Sequence, residues 1–149
     1  MPDYAIAFNG RGVAYKNKGN YDRAIEDYDK SIDLQPAYAA AWNNRSVAHA
    51  IVGRLDAALA DCNESLRLKS QPAVLDTRGL VYLKMGEIDK AIADYDAALN
   101  GDPKLAGSLY GRGLAKRKRG DAAGADLDIA AAKALRPTIA DEFAKYGVD

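Results

Sequence analysis

This sequence predicts an all-α fold built from repeated antiparallel helix pairs, and three observations carry that reading. Arginine returns in similar surroundings in NGRGVAY, NNRSVAH, DTRGLVY and YGRGLAK, as Arg11, Arg45, Arg78 and Arg112, at separations of 34, 33 and 34 residues. Three more columns keep the same register: Gly19, Gly53, Gly86 and Gly120; Ala24, Ala58, Ala91 and Ala125; Asp27, Asp61, Asp94 and Asp128. Within each period the apolar residues recur at helical spacing, and nothing alternates with a period of two.

The elements follow in order. In YAIAFNGRGVAYKNK, the residues Ile6, Phe8, Val13 and Tyr15 keep helical spacing until Gly19 and Asn20 break it. YDRAIEDYDKSIDLQ then places Ala24, Ile25, Tyr28 and Ile32 on one face, and Pro36 closes the unit. Pro103 and Pro137 close later units in the same way. The second unit ends one residue early at KSQP, where Pro72 suits the first turn of the next helix. After Pro137, TIADEFAKYG reads as a closing helix with Thr138 at its N-cap, covering the last apolar face of the stack. These limits give one repeat domain over 1–149, with repeats near 5–38, 39–71, 72–105 and 106–139 and a closing helix near 138–147. The fourth unit departs most, at Lys116, Gly124 and Asp126. A glycine inside a helix costs about 1 kcal/mol against alanine. This unit is therefore expected to be the least stable, or to lean on the closing helix or a partner.

Composition narrows the function classes. Lysine plus arginine equals aspartate plus glutamate at 21 each, so no net charge argues for nucleic acid or a membrane surface. The apolar runs are too short to cross a bilayer, which needs about 20 residues. No secretory signal is visible in MPDYAIAF. A cytoplasmic setting is favoured over a periplasmic one, which would require an upstream export signal to have been removed. Cys62 is the single cysteine and His49 the single histidine, which excludes an internal disulfide and a metal site of several histidines or cysteines. No cofactor is expected.

The arginine column has two readings, a cationic stripe for an acidic partner or a set of internal ion pairs. The aspartate column supplies counter-charges of the same periodicity. In a helix pair hinged at the glycine, Arg11 would meet Asp27, Arg45 would meet Asp61, Arg78 would meet Asp94 and Arg112 would meet Asp128, unless an adjacent unit supplies the acid. Ion pairing is favoured, and losing the acid is expected to cost more than losing the arginine. His49 and Cys62 are the only nucleophile–base pair by type, yet both fall in columns where the other units mostly place tyrosines. Carboxylates such as Asp27 and Asp29, two residues apart on a helix, point apart. The glycines form no phosphate-binding loop. Nothing argues for an enzyme. The one concentrated basic segment, RGLAKRKRG over 112–120, suits the end of a helix dipole and offers a second reading as a dock for an acidic peptide.

These units resemble tetratricopeptide repeats over roughly residues 5–139. Counting from Ala5, the bulky fourth position is Phe8, Trp42, Leu75 and Leu109, and the small eighth is Gly12, Ser46, Gly79 and Gly113. The eleventh is Tyr15 and Tyr82, with His49 and Lys116 departing; the twentieth is always alanine. The twenty-fourth is Tyr28 and Tyr95, with Cys62 and Ile129 as smaller substitutes. The NNR and DYD style of the units is closer to bacterial members than to eukaryotic ones.

The resemblance implies a right-handed superhelical solenoid of antiparallel helix pairs with a C-terminal capping helix, whose inner groove is lined by the first helix of each pair. It also implies a protein–protein interaction scaffold, with a protein or peptide partner that carries an acidic segment in one version. The groove-facing positions would be Asn9, Lys16, Asn43, Asn44, Asp76, Thr77, Lys84, Tyr110, Arg117 and Lys118. Small residues lie between them: Gly10, Ala40, Ala73, Gly107 and Gly111 are expected to leave room for a chain. Cochaperone members clamp a terminal carboxylate with lysine, arginine and asparagine. Asn44 matches the middle asparagine, but Asn9, Val13, Ala73 and Thr77 stand where the flanking residues should be, so that clamp is not expected. Two other roles stay open, a self-association module forming homo-oligomers and an accessory domain of a longer enzyme or secretion component.

Overall fold

A computed structural model of the protein describes residues 2–148. The described residues form helices and connecting turns, without strands. Contacts group them into two compact units, one ending at Ser70 and the other beginning at Gln71.

The first unit holds α1 (Pro2–Asn17), α2 (Tyr21–Leu34), α3 (Ala39–Ile51) and α4 (Leu55–Leu68). Here α1 pairs with α2 and α3 with α4, while α3 also packs on α2 and α1. The second unit holds α5 (Pro72–Met85), α6 (Ile88–Gly101), α7 (Ala106–Lys118), α8 (Ala122–Leu135) and α9 (Ile139–Lys145). There α5 pairs with α6 and α7 with α8, and α7 also touches α5, α6 and α9.

Every helix pair turns by the same device. Gly19, Gly53, Gly86 and Gly120 have φ of 78°, 88°, 81° and 94°, left-handed values open to glycine at no steric cost. The next residue's N–H then reaches back to a carbonyl five positions earlier. Asn20 bonds Tyr15 (2.9 Å), Arg54 bonds His49 (2.8 Å), and Glu87 and Asp121 bond Tyr82 and Lys116 (both 2.9 Å). This satisfies a carbonyl that the helix end would otherwise leave open.

Size complementarity holds each pair together. A Cβ on Gly12 would lie 2.6 Å from the Tyr28 ring, and one on Gly79 would lie 2.7 Å from the Tyr95 ring. The second repeat shrinks the large partner and enlarges the small one, so the Cys62 thiol lies 3.3 Å from the Ser46 hydroxyl. In the fourth, Ile129 sits against Gly113, at 2.7 Å from where a Cβ would be. Ser31 and Ser65 lace the second helix to the start of the first, donating to the carbonyls of Ala5 (2.7 Å) and Ala39 (2.9 Å).

Three local expectations are revised. Ile6, counted among the apolar face of α1, is 56% exposed. Thr138 occupies the N-cap position of α9 but makes no side-chain capping bond, and Arg136 instead pairs with Glu142 at 3.2 Å across the start of that helix. Gly124, read as a weak point of the fourth unit, lies in the first turn of α8, where the Asp121 side chain accepts from its N–H at 2.9 Å and fills the space a Cβ would need. Among the described residues no helix is long and apolar enough to cross a membrane.

Candidate functional site

The arginine column resolves into ion pairs. Arg11, Arg45, Arg78 and Arg112 each grip the aspartate 16 residues later with Nε and one terminal nitrogen, at 2.7–2.8 Å. Such two-point geometry fixes the guanidinium plane as well as its position. The aspartates are deeply buried, with side chains 3–9% exposed. Two arginines also hold an acid from the preceding repeat: Arg45 reaches Asp29 at 2.8 Å and Arg112 reaches Asp96 at 2.9 Å. Asp27 and Asp29 do point apart, one to its own repeat's arginine and the other to the next. The arginines lie over aromatic rings as well, Arg45 at 5.0 Å from the Trp42 centroid and Arg11 at 5.5 Å from Phe8.

With the arginines committed, the first-helix faces remain. In the first unit, Asn9 on α1 and Asn44 on α3 join side chain to side chain. The Asn44 amide donates to Asn9 Oδ1 at 2.9 Å, and the Asn9 amide donates to the Tyr38 hydroxyl at 3.2 Å. Asn43 beside them has a buried side-chain oxygen with no hydrogen-bond partner among the described residues. Lys16 is half-buried, and burial pulls its ammonium below the usual lysine range. Val13 and Val47 are half-buried on the same helices, and the space beside Gly10 is open.

In the second unit, Asp76 on α5 accepts from the Ser108 hydroxyl of α7 at 2.6 Å. Burial pushes its carboxyl up, against the Ser108 hydrogen bond and the Arg136 charge, which favour the ionised form. Thr77 is buried and donates to the Ala73 carbonyl of its own helix at 3.0 Å. Lys84 donates to the main-chain carbonyl of Tyr146, and Tyr110 packs on Phe143 with ring centroids 4.8 Å apart. Arg117 and Lys118 are exposed at the end of α7, whereas Lys116 pairs with Asp128 at 2.9 Å and Arg119 with Asp89 at 3.5 Å. The small residues here are not open floor, contrary to expectation. A Cβ on Gly107 would press on the Asp76 carboxylate at 3.3 Å, and one on Gly111 would run into the Tyr95 ring and hydroxyl.

The remaining chemistry-bearing residues are packed. His49 places Nε2 3.8 Å from Asp61. Burial lowers its pKa, Asp61 works against that, and Arg45 and Arg54 add to it, so the neutral imidazole is favoured. Burial pushes the Tyr28 hydroxyl up to about 12. No group of three or more His, Cys, Asp or Glu side chains is placed to hold a metal among the described residues.

Sequence reasoning missed Asp29 and Asp96 as second partners of the ladder, the Asn9–Asn44 bond, and the engagement of Lys84 and Tyr110 by the C-terminal segment. The first was readable, since Asp29 and Asp96 each precede an arginine of the column by 16 positions. The last was not, because no periodicity tells where a terminal helix lies.

Two family models match the chain, one described as tetratricopeptide repeat over residues 5–38 and one as TPR repeat over residues 79–120. Among solved structures, MamA is similar at 25% identity with a TM-score of 0.76, over 94% of this chain and 82% of that one. The second TPR domain of human RPAP3, in complex with the HSP70 peptide SGPTIEEVD, is 26% identical with a TM-score of 0.72, over 78% and 98%. The first TPR of Spaghetti (RPAP3), bound to the HSP90 peptide SRMEEVD, has the same fold at 23% identity and a TM-score of 0.76, over 80% and 96%. No curated protein sequence matches.

Proposed function

Because the chain belongs to the tetratricopeptide repeat family, we propose that it is a non-catalytic protein–protein interaction scaffold that holds a partner's peptide against the first helices of its N-terminal unit. The observation that carries this reading is Asn43. A buried side-chain oxygen without a donor costs about 1–3 kcal/mol, and turning the half-buried Asn43 amide outward to accept from a peptide N–H laid along α3 would relieve that cost. Around it lie the joined Asn9 and Asn44, the amine of Lys16, the half-buried Val13 and Val47, and open space at Gly10. Together they offer polar contacts for a main chain and apolar ones for its side chains.

The RPAP3 domain holds a peptide ending in an acidic tail, which supports a peptide ligand here without fixing its sequence. Asn9 is tied to Asn44 and Tyr38, and Thr77 to its own helix. The proposed ligand is therefore held through its backbone and apolar side chains rather than by a clamp on a terminal carboxylate. The exposed Arg117 and Lys118, at the end of α7 in the second unit, are a separate candidate for contacts with acidic residues.

Panning a displayed random-peptide library on the intact chain tests the proposal. Selected peptides are expected to lose about tenfold in affinity or more on Asn43→Ala, since one satisfied buried polar group is worth that much. They are expected to bind a Glu64→Ala variant as well as the parent, Glu64 lying on α4. Peptides that bind both variants like the parent would refute the assignment of this face.

A further inference from the structure

The residues after Pro137 do more than close the last repeat. On α5, Leu80 and Leu83 lie one turn apart, and on α7 Tyr110 and Leu114 do the same. All four are buried in one apolar cluster that also contains Ile139 and Phe143, with Tyr146 and Val148 packed against it. They occupy the ninth and twelfth positions of the third repeat and the fifth and ninth of the fourth, columns whose counterparts in the first unit include Asn9, Val13, Asn43 and Val47. Helix α9 packs on both helices of the last pair, α7 and α8, and the residues after it reach Lys84 of α5, so that 139–148 covers the first-helix face of its own second unit. Phe143 packs at a tilt on Tyr110 at 4.8 Å and edge-on against Tyr146 at 5.6 Å, and the Lys84 amine fastens the Tyr146 carbonyl.

The spacing of Ile139, Phe143 and Tyr146 is that of i, i+4 and i+7 anchors by which an amphipathic helix fills a groove. A helix of seven residues has little stability of its own and is held by what it packs against. Its link to α8 is only Arg136, Pro137 and Thr138.

We propose that residues 139–148 are a built-in ligand of the second unit. A partner helix with an aliphatic and two aromatic side chains at the spacing of Ile139, Phe143 and Tyr146 displaces them and takes the same face. The proposal rests on the reading of first-helix faces as peptide-binding surfaces. It stands apart from the Asn43 test, which reads the first unit alone, so either can fail without the other.

The probe is a fluorescent peptide of residues 136–148, titrated against the full-length chain and against its Phe143→Ala, Tyr146→Ala variant. Occupancy by the tethered copy should weaken binding to the parent by about tenfold or more relative to the variant. A peptide carrying Phe143→Ala should bind neither. Equal affinities for parent and variant, with helical circular dichroism intact in both, would overturn the proposal. If the variant does not fold, hydrogen exchange on the parent decides. Amides of 143–148 should exchange about tenfold faster or more than those of α5 and α7, through a local opening. Equal protection would mean that the segment is integral core, and the proposal would fall.

Discussion

Arg45 holds two carboxylates of unequal burial, and that inequality reverses the order expected from sequence. The Asp61 side chain is 6% exposed, Arg45 is 19% exposed, and Asp29 is 50% exposed. Asp61→Leu leaves the arginine with Asp29, solvent and the Trp42 ring. Arg45→Leu takes both hydrogen bonds from Asp61 and leaves it, among the described residues, with the His49 imidazole at 3.8 Å. The arginine substitution is therefore expected to cost about 3 kcal/mol, the lower end for breaking a buried pair, and the aspartate substitution measurably less. Urea denaturation of both single variants and the double checks this. Equal losses in the singles that simply add in the double would mean that the pair is not coupled.

At the scale of the helix pair, the small–large match is the controlling feature. Gly12→Ala improves helix propensity by about 1 kcal/mol but drives a methyl into the Tyr28 ring. Overpacking of this kind costs about 1–3 kcal/mol, so the variant is expected to melt lower than the parent. Gly12→Ser combined with Tyr28→Cys copies the pairing of Ser46 with Cys62. It should recover part of the loss that Gly12→Ser shows alone. Additive losses in thermal melts would show the two columns to be independent. The helix pairs and their arginine–aspartate ties were legible in the sequence because glycine, aspartate and arginine recur with a fixed period and each has a specific physical use, whereas the match of Gly12 to Tyr28 was not read from its columns. The first-helix face was legible only as a set of columns. Whether Gly111 opens a floor or receives Tyr95, and whether Tyr110 meets solvent or Phe143, depends on packing between elements far apart in the chain.

Over the whole molecule, acid titration acts through groups of opposite sign. Burial pushes Asp128 up, but hydrogen bonds from Arg112 and Lys116 outweigh it and hold the carboxyl below its usual value. Its stabilisation is present above the unfolded-state pKa of about 3.9 and is lost as pH falls through the lower folded value. Asp76 runs the other way: with its pKa raised on folding, its contribution is fullest below about 3.9 and is lost as pH rises through the folded value. Asp76→Asn keeps an oxygen for the Ser108 hydroxyl and removes the buried charge. The variant should melt a few degrees above the parent at pH 7, and the gap should close at pH 3. Calorimetric scans across that range would count against the assignment if the gap were absent at pH 7 or unchanged at pH 3.

The four bidentate ion pairs share one more property, a sequence separation of 16 residues. Each closes a short loop of the same length, and the loop-closure entropy opposing it is the same small quantity in every repeat. Contacts of such short range are met early in a conformational search, and chains dominated by them fold in microseconds to milliseconds. Any of the four hairpins is thus equipped to nucleate folding, with the others propagating from it. The refolding rate is therefore expected to follow the sequence of a single hairpin, and adding or removing a repeat is expected to change stability far more than speed in stopped-flow refolding.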